Sequence, residues 1–145
     1  MTRIDFYVTR NADAGNPDLL VCRFVEKAFR HSHETYILTA DAQQTARLDE
    51  MLWTFSPGSF VPHRLSPCEH DPAEDPRPVV LIGHEEPPAV CHDILVSLRP
   101  EVPGCFSRFQ RVAEFVGAGE EDKQQARVRF RFYRDRGYPL ENHDV

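Results

Sequence analysis

Short apolar runs interleaved with helix-length amphipathic stretches constrain this chain more than any other feature of its sequence. Ile4, Phe6 and Val8 alternate with Asp5 and Tyr7, a period of two that predicts a strand. Asn16-Pro17-Asp18 then offers an N-cap, a proline at the first helical position and an acidic first turn. Leu20, Val21, Phe24, Val25 and Ala28 supply the apolar stripe that carries the predicted helix to about His31. Thr35 to Thr39 is β-branched and aromatic and predicts a second strand. Asp41 with Gln44 forms a capping box for a helix through Trp53.

Val79-Val80-Leu81-Ile82 and Ile94 to Leu98 have the continuous apolar character of strands covered on both faces, and Val112 to Val116 is a further candidate. The closing helix begins after Gly119, with Glu120, Glu121 and Asp122 set favourably against the macrodipole, and ends at Gly137, a natural left-handed cap. Strands alternating with helices predict a three-layer α/β/α fold with a parallel or mixed sheet, because parallel strands need long crossovers. The 145 residues suit one domain, 1–145. Within it, residues 66–77 are rich in proline and acidic groups, with Cys68 and Ala73 as the only apolar side chains, and predict an exposed loop that cannot build a core.

Several classes of chemistry find no support. A net charge of −6 argues against a protein that coats duplex DNA. There is no basic-then-apolar leader and no run approaching the roughly 18 apolar residues of a membrane span, so a cytoplasmic protein is expected. Cys22, Cys68, Cys91 and Cys105 form no Cys-x-x-Cys pair and read as reduced thiols. Neither GxxxxGK[ST] nor GxGxxG is present; Asn11-Ala12-Asp13-Ala14-Gly15 stands after the first strand instead. Cys68-Glu69-His70 and Cys91-His92 hold zinc-type ligands without a close paired spacing, so no metal is expected. No serine has a Gly-x-Ser-x-Gly setting, and Ser97 lies inside an apolar strand. His84-Glu85-Glu86 and His92-Asp93 contain the groups of acid–base catalysis. A hydrolase using His84, His92 and Asp93 is therefore the alternative from the enzyme class, and it needs those side chains to converge in one pocket.

The closing helix is more informative. At 100° per residue Lys123, Arg127, Arg131 and Arg134 fall within an arc of about 80°. Ala126, Phe130 and Tyr133 occupy the adjoining arc, with Phe130 at the border of the basic face. The bland reading is a solvated charged face above core aromatics. The sharper one starts from the few tenths of a kcal/mol that like charges one turn apart cost, which an acidic partner would offset. A peptide with an apolar terminal residue, a free carboxylate and upstream aspartates would suit such a site, since arginine pairs with carboxylates in bidentate fashion. Direct binding of single-stranded DNA, with Phe130, Phe132 and Tyr133 as stacking platforms, is a further alternative against which the overall acidity counts. A second cluster, Trp53-Thr54-Phe55 with Ser59-Phe60-Val61-Pro62-His63, reads either as loop folded back onto the core or as an exposed protein interface.

DFYV at 5–8, RLDEMLW at 47–53, SFVPH at 59–63, DILVSL at 93–98, EFV at 114–116, KQQAR at 123–127 and RFYRDRGY at 131–138 occur in this order. With them the sequence resembles the chi subunit family of bacterial DNA polymerase III, an accessory of the clamp loader. The resemblance implies a fold similar to nucleotide-binding domains but without nucleotide, no catalytic residue and no cofactor. It implies two partners: the psi subunit, which ties chi to the clamp loader, and single-stranded DNA-binding protein, whose acidic C-terminal tail ends in phenylalanine. The tail site would use Lys123, Arg127 and Arg131 as cations and Val116 with Phe130 as walls of an apolar pocket. The psi surface would include Trp53, Phe60, Val61 and Pro62, with Phe55 and His63 beside them. Phe130 stands where family relatives are expected to carry tyrosine and Arg131 where lysine is expected, and the latter change keeps the charge but alters hydrogen-bond geometry.

Overall fold

The period-two segment forms β1 (Arg3–Val8), and the helix that follows it is α1 (Pro17–Arg30). The computed structural model of the chain describes residues 2–9, 17–56, 58, 61–66, 79–89 and 91–144. The expected N-cap Asn16 and residues 67–77 of the acidic loop lie outside them. α1 closes with the backbone N–H of His33 donating to the Ala28 carbonyl at 2.9 Å, and Ser32 takes the left-handed position with φ 63°. β2 (Thr35–Leu38) leads into α2 (Ala42–Thr54), where the Asp41 carboxylate accepts the Gln44 N–H at 2.8 Å. Gln44 Oε1 accepts the Ala40 N–H at 2.8 Å, so the capping box reaches one residue further back than its usual form. The side chains of Asp18 and Arg47, 2.6 Å apart, join the two helices.

β3 (Arg64–Leu65), β4 (Val80–Gly83), β5 (Ile94–Ser97), β6 (Arg111–Val116), α3 (Glu120–Asp135) and β7 (Leu140–Asp144) complete the order. α3 ends before Gly137, whose φ of 79° confirms the left-handed cap. The seven described strands form one sheet in the order β3-β4-β2-β5-β6-β1-β7, every pair parallel, which resolves the parallel-or-mixed alternative. Two strands were not expected. β3 is only two residues long, and β7, Leu-Glu-Asn-His-Asp, has no apolar alternation; it forms because β1 supplies an open edge that pairs Ile4 with Leu140 through Val8 with Asp144. α2 runs one residue past its expected end at Trp53, to Thr54.

Alternation along the strands builds two apolar layers. Ile37, Val80, Ile82, Ile94, Val96 and Ala113 face Val21, Cys22 and Val25 of α1 and Leu48 and Leu52 of α2. On the opposite face Ile4, Phe6, Tyr36, Leu95, Val112 and Val116 meet Ala126 and Tyr133 of α3 together with Phe106 and Phe109 from the β5–β6 connection. The result is the three-layer α/β architecture that the alternation of elements predicts. Among the described cysteines Cys22, Cys91 and Cys105 are in no disulfide, and burial pushes the thiol of Cys22 up to about 12.

Candidate functional site

The register β6-β1-β7 sets Glu114, Phe6 and Asn142 side by side, and Val116 beside Val8, on the face that α3 covers. Between α3 and these strands lies a groove of about 400 Å³. Its floor is apolar: Phe6, Val8 and Val116 from the sheet, with Ala126 and Phe130 from the helix. Its rim is cationic, made by Lys123, Arg127, Arg131 and Arg134, and Asn142 of β7 closes one side. The rings of Phe6 and Phe130 meet edge to face with centroids 5.5 Å apart. All five residues expected around a peptide tail, Val116, Lys123, Arg127, Phe130 and Arg131, therefore line one groove. Phe6, Val8 and Asn142 were missed, because the strand order β6-β1-β7 cannot be read from local pattern.

The position of α3 over this groove depends on a pair that sequence reading also missed. Arg129 points into the protein and is 5% exposed; its Nε donates to Glu114 Oε2 at 2.8 Å and its Nη1 to the Pro100 carbonyl at 2.7 Å. Glu114 is fully buried in the middle of β6. Burial pushes its carboxyl up to about 7, while the charge and hydrogen bond of Arg129 pull the other way. Burial, and secondarily the Glu114 charge, raise the Tyr133 hydroxyl beside it. Phe106, Phe132, Tyr133 and Tyr138 pack edge to face around this point, so the side of the helix turned from the groove is held by both a charge pair and an aromatic cluster.

At the other end of the sheet the second predicted cluster divides. Trp53 is 47% exposed, Pro62 and Phe55 are half-buried, and Phe60 falls outside the described residues. Val61 is fully buried against α2 and β4, and His63 is nearly so, which corrects their reading as surface groups. His63 Nδ1 lies 2.7 Å from the Val61 carbonyl and its Nε2 3.0 Å from Asp49 Oδ1, while its ring packs 4.4 Å from that of Trp53. These contacts turn the chain after α2 back onto the core and prop Trp53 from beneath. Leu65 of β3, 48% exposed, extends the apolar surface, a contribution that its short polar context hid.

His84, His92 and Asp93 do not converge. His84 follows the carboxyl end of β4, whereas His92 and Asp93 precede the amino end of β5, and both strands run parallel to β2 in register. At about 3.3 Å per residue the strands hold the two groups more than ~13 Å apart along their axis. Asp93 instead receives the His33 ring at 3.1 Å and the Glu34 N–H at 3.0 Å, a structural role. Asp5, Glu141 and His143 do cluster on the face of β1 and β7 away from α3, with Arg111 Nε 2.7 Å and Arg3 Nη2 3.2 Å from the two oxygens of Asp5. The arginines occupy the place a cation would take.

A parallel α/β domain whose groove joins an apolar floor to a cationic rim, and whose lining among the described residues includes no carboxylate, thiol or imidazole, has the chemistry of a receptor for an anionic ligand with an apolar anchor. The family described as DNA polymerase III chi subunit, HolC, matches residues 1–141, and the chain belongs to that family. The DNA polymerase III subunit chi of Pseudomonas aeruginosa is 42% identical over 143 residues, covering 99% of this chain and 96% of that protein. The subunit chi of Escherichia coli is 35% identical over 124 residues, 83% and 80% of the two chains, and that of Haemophilus influenzae 26% over 140 residues, 97% and 95%. Among solved structures, T4 UvsW aligns with a TM-score of 0.70 over 99% of this chain and 41% of that one; at 7% identity the likeness is one of fold alone.

Proposed function

We propose that this chain is a non-catalytic accessory subunit of DNA polymerase III that bridges the clamp loader to coated single-stranded DNA through two protein surfaces. The observation that carries the reading is the single groove that gathers Val116, Lys123, Arg127, Phe130 and Arg131. The terminal phenylalanine of the acidic tail of single-stranded DNA-binding protein enters the apolar floor, its carboxylate and the upstream aspartates meeting the arginines and lysine of the rim. The psi subunit docks at the end of α2, on Trp53 and Pro62 with Phe55, above Val61 and His63 as the buried support. The protein works in the cytoplasm and needs no cofactor, and through these two surfaces it meets nucleic acid only indirectly. In support, no helix among the described residues is long and apolar enough to cross a membrane.

Calorimetric titration with a synthetic acidic peptide ending in Asp-Ile-Pro-Phe, beside the same peptide without its phenylalanine, tests the tail reading. A dissociation constant near micromolar, about −8 kcal/mol, is expected for the first peptide alone. Arg127→Ala removes one charged contact at an expected cost of about 2–5 kcal/mol and nearly abolishes binding. Equal weak binding of both peptides, or full affinity of Arg127→Ala, overturns it.

A further inference from the structure

The sheet carries a second concavity on the face opposite α3. Between α1 and the β1–β6 pair lies a pocket of about 460 Å³ whose walls are rings. Tyr7 and Phe115 stand nearly parallel, with centroids 5.1 Å apart and planes 17° from one another. Phe24 of α1 leans toward both, at 5.4 and 5.6 Å. The upper rim carries Arg23 and Lys27, one helical turn apart on α1, with His31 just beyond the end of the helix, all three exposed. On the far wall the Arg111 guanidinium lies 5.1 Å from the Phe24 ring. Neighbouring carboxylates are already engaged, Asp5 by Arg111 at 2.7 Å and Asp93 by His33 at 3.1 Å. Arg23 and Lys27 form no ion pair with any described residue, so this pocket keeps positive charge on a chain whose net charge is −6.

We propose that this pocket binds single-stranded nucleic acid, one base packing on the pocket side of the Tyr7, Phe24 and Phe115 ring cluster while the flanking phosphates lie along Arg23 and Lys27. Two features favour a strand over an acidic peptide. Arg111 already spends its Nε on Asp5 and its Nη2 on the Tyr7 hydroxyl, at 2.7 and 2.6 Å, so its Nε–Nη2 fork is closed to a carboxylate. The cations that remain, Arg23 and Lys27, stand one helical turn apart along α1, which suits successive phosphates of a polyanionic backbone, and ring surfaces accept any planar base. The site is separate from the groove beneath α3, and the proposal does not rest on the tail reading.

Fluorescence anisotropy of a labelled oligothymidylate titrated with the intact chain is the test. About three phosphate contacts predict a log–log salt slope near −2, so that raising salt from about 50 to about 200 mM weakens binding about fifteenfold. The double variant Arg23→Ala/Lys27→Ala brings the slope toward about −0.7. Phe24→Leu, which keeps apolar volume but removes the ring, weakens binding about five- to a hundredfold. Circular-dichroism melts of the variants matching the parent, with peptide titrations beneath α3 unchanged, separate loss of the site from loss of fold. No binding at low salt overturns the proposal. So does binding that survives Arg23→Ala/Lys27→Ala and disappears with Arg127→Ala, because it would lie beneath α3. Capture at this pocket of an acidic peptide but not the oligonucleotide also overturns it.

Discussion

Replacing Glu114 with glutamine asks whether the buried pair beneath α3 stabilises the fold or is carried at a cost. Glu114 is fully buried, Arg129 nearly so, and burial moves the carboxyl from its ordinary 4.5 to about 7 despite the arginine. A carboxyl whose value is raised on folding holds its proton more tightly in the folded chain. Its contribution to stability is therefore complete below pH 4.5 and is lost as pH rises through about 7. The gap between the two values corresponds to about 3 kcal/mol. Glutamine is neutral throughout and still offers Arg129 an acceptor. Glu114→Gln should thus match the parent in acid and exceed it by up to about 3 kcal/mol above pH 8, in keeping with the cost of ion pairs taken out of water. Urea unfolding followed by far-UV circular dichroism at both pH values reads this as a midpoint raised by about 1–2 M on the alkaline side alone. Comparing variant with parent at each pH cancels the titration of every other group. A variant weaker than the parent at pH 8, or a difference that does not change with pH, refutes the reasoning and makes the pair a net stabiliser.

Two further outcomes follow from local geometry. Ser32 closes α1 at φ 63°, where a side chain costs energy that glycine avoids; Ser32→Gly should raise stability by about 0.5–1 kcal/mol in urea unfolding, and a lowered midpoint would sink the idea. For Asp5, burial alone would raise the carboxyl, but hydrogen bonds from His143 and Arg111 and the charges of Arg111 and Arg3 outweigh it and hold it below its ordinary value. Its contribution is present above that value and lost as pH falls, so Asp5→Asn should be destabilised at neutral pH, with a deficit that narrows in thermal melts below about pH 4; a deficit that widens in acid would contradict the assignment.

The parts legible in the sequence are those that local chemistry decides alone. β1 declares itself by alternation, α1 by proline at its first position, α2 by Asp41 and Gln44, and α3 by its acidic first turn and Gly137. The cationic arc of α3 was equally legible, because a helix orders its own side chains. β7 was not, since Leu140 to Asp144 is polar and owes its conformation to a strand more than 130 residues away. For the same reason the sheet side of the groove, Phe6, Val8 and Asn142, waited on strand order. Arg129 deceived most: within a run of charged residues its type suggests solvent, and only Glu114 opposite shows why it turns inward. Val61 and His63 were placed on the psi-facing surface by the resemblance alone, whereas contacts to Asp49 and Trp53 fold this stretch back onto the core, the alternative that local composition left open.

The strand order has a consequence for the birth of the protein. β1 is made first, yet both of its neighbours, β6 and β7, come from the last third of the chain. An emerging polypeptide must therefore hold Phe6 and its open strand edges in waiting until more than a hundred further residues have been synthesised, a pairing of high contact order that slows folding. The groove beneath α3 takes its floor from both ends of the sequence, and Asn142 closes its side only once β7 has docked. A chain that ends after α3 holds the basic helix and every residue of the apolar floor but leaves one side of the groove open, so completion of synthesis itself closes the site.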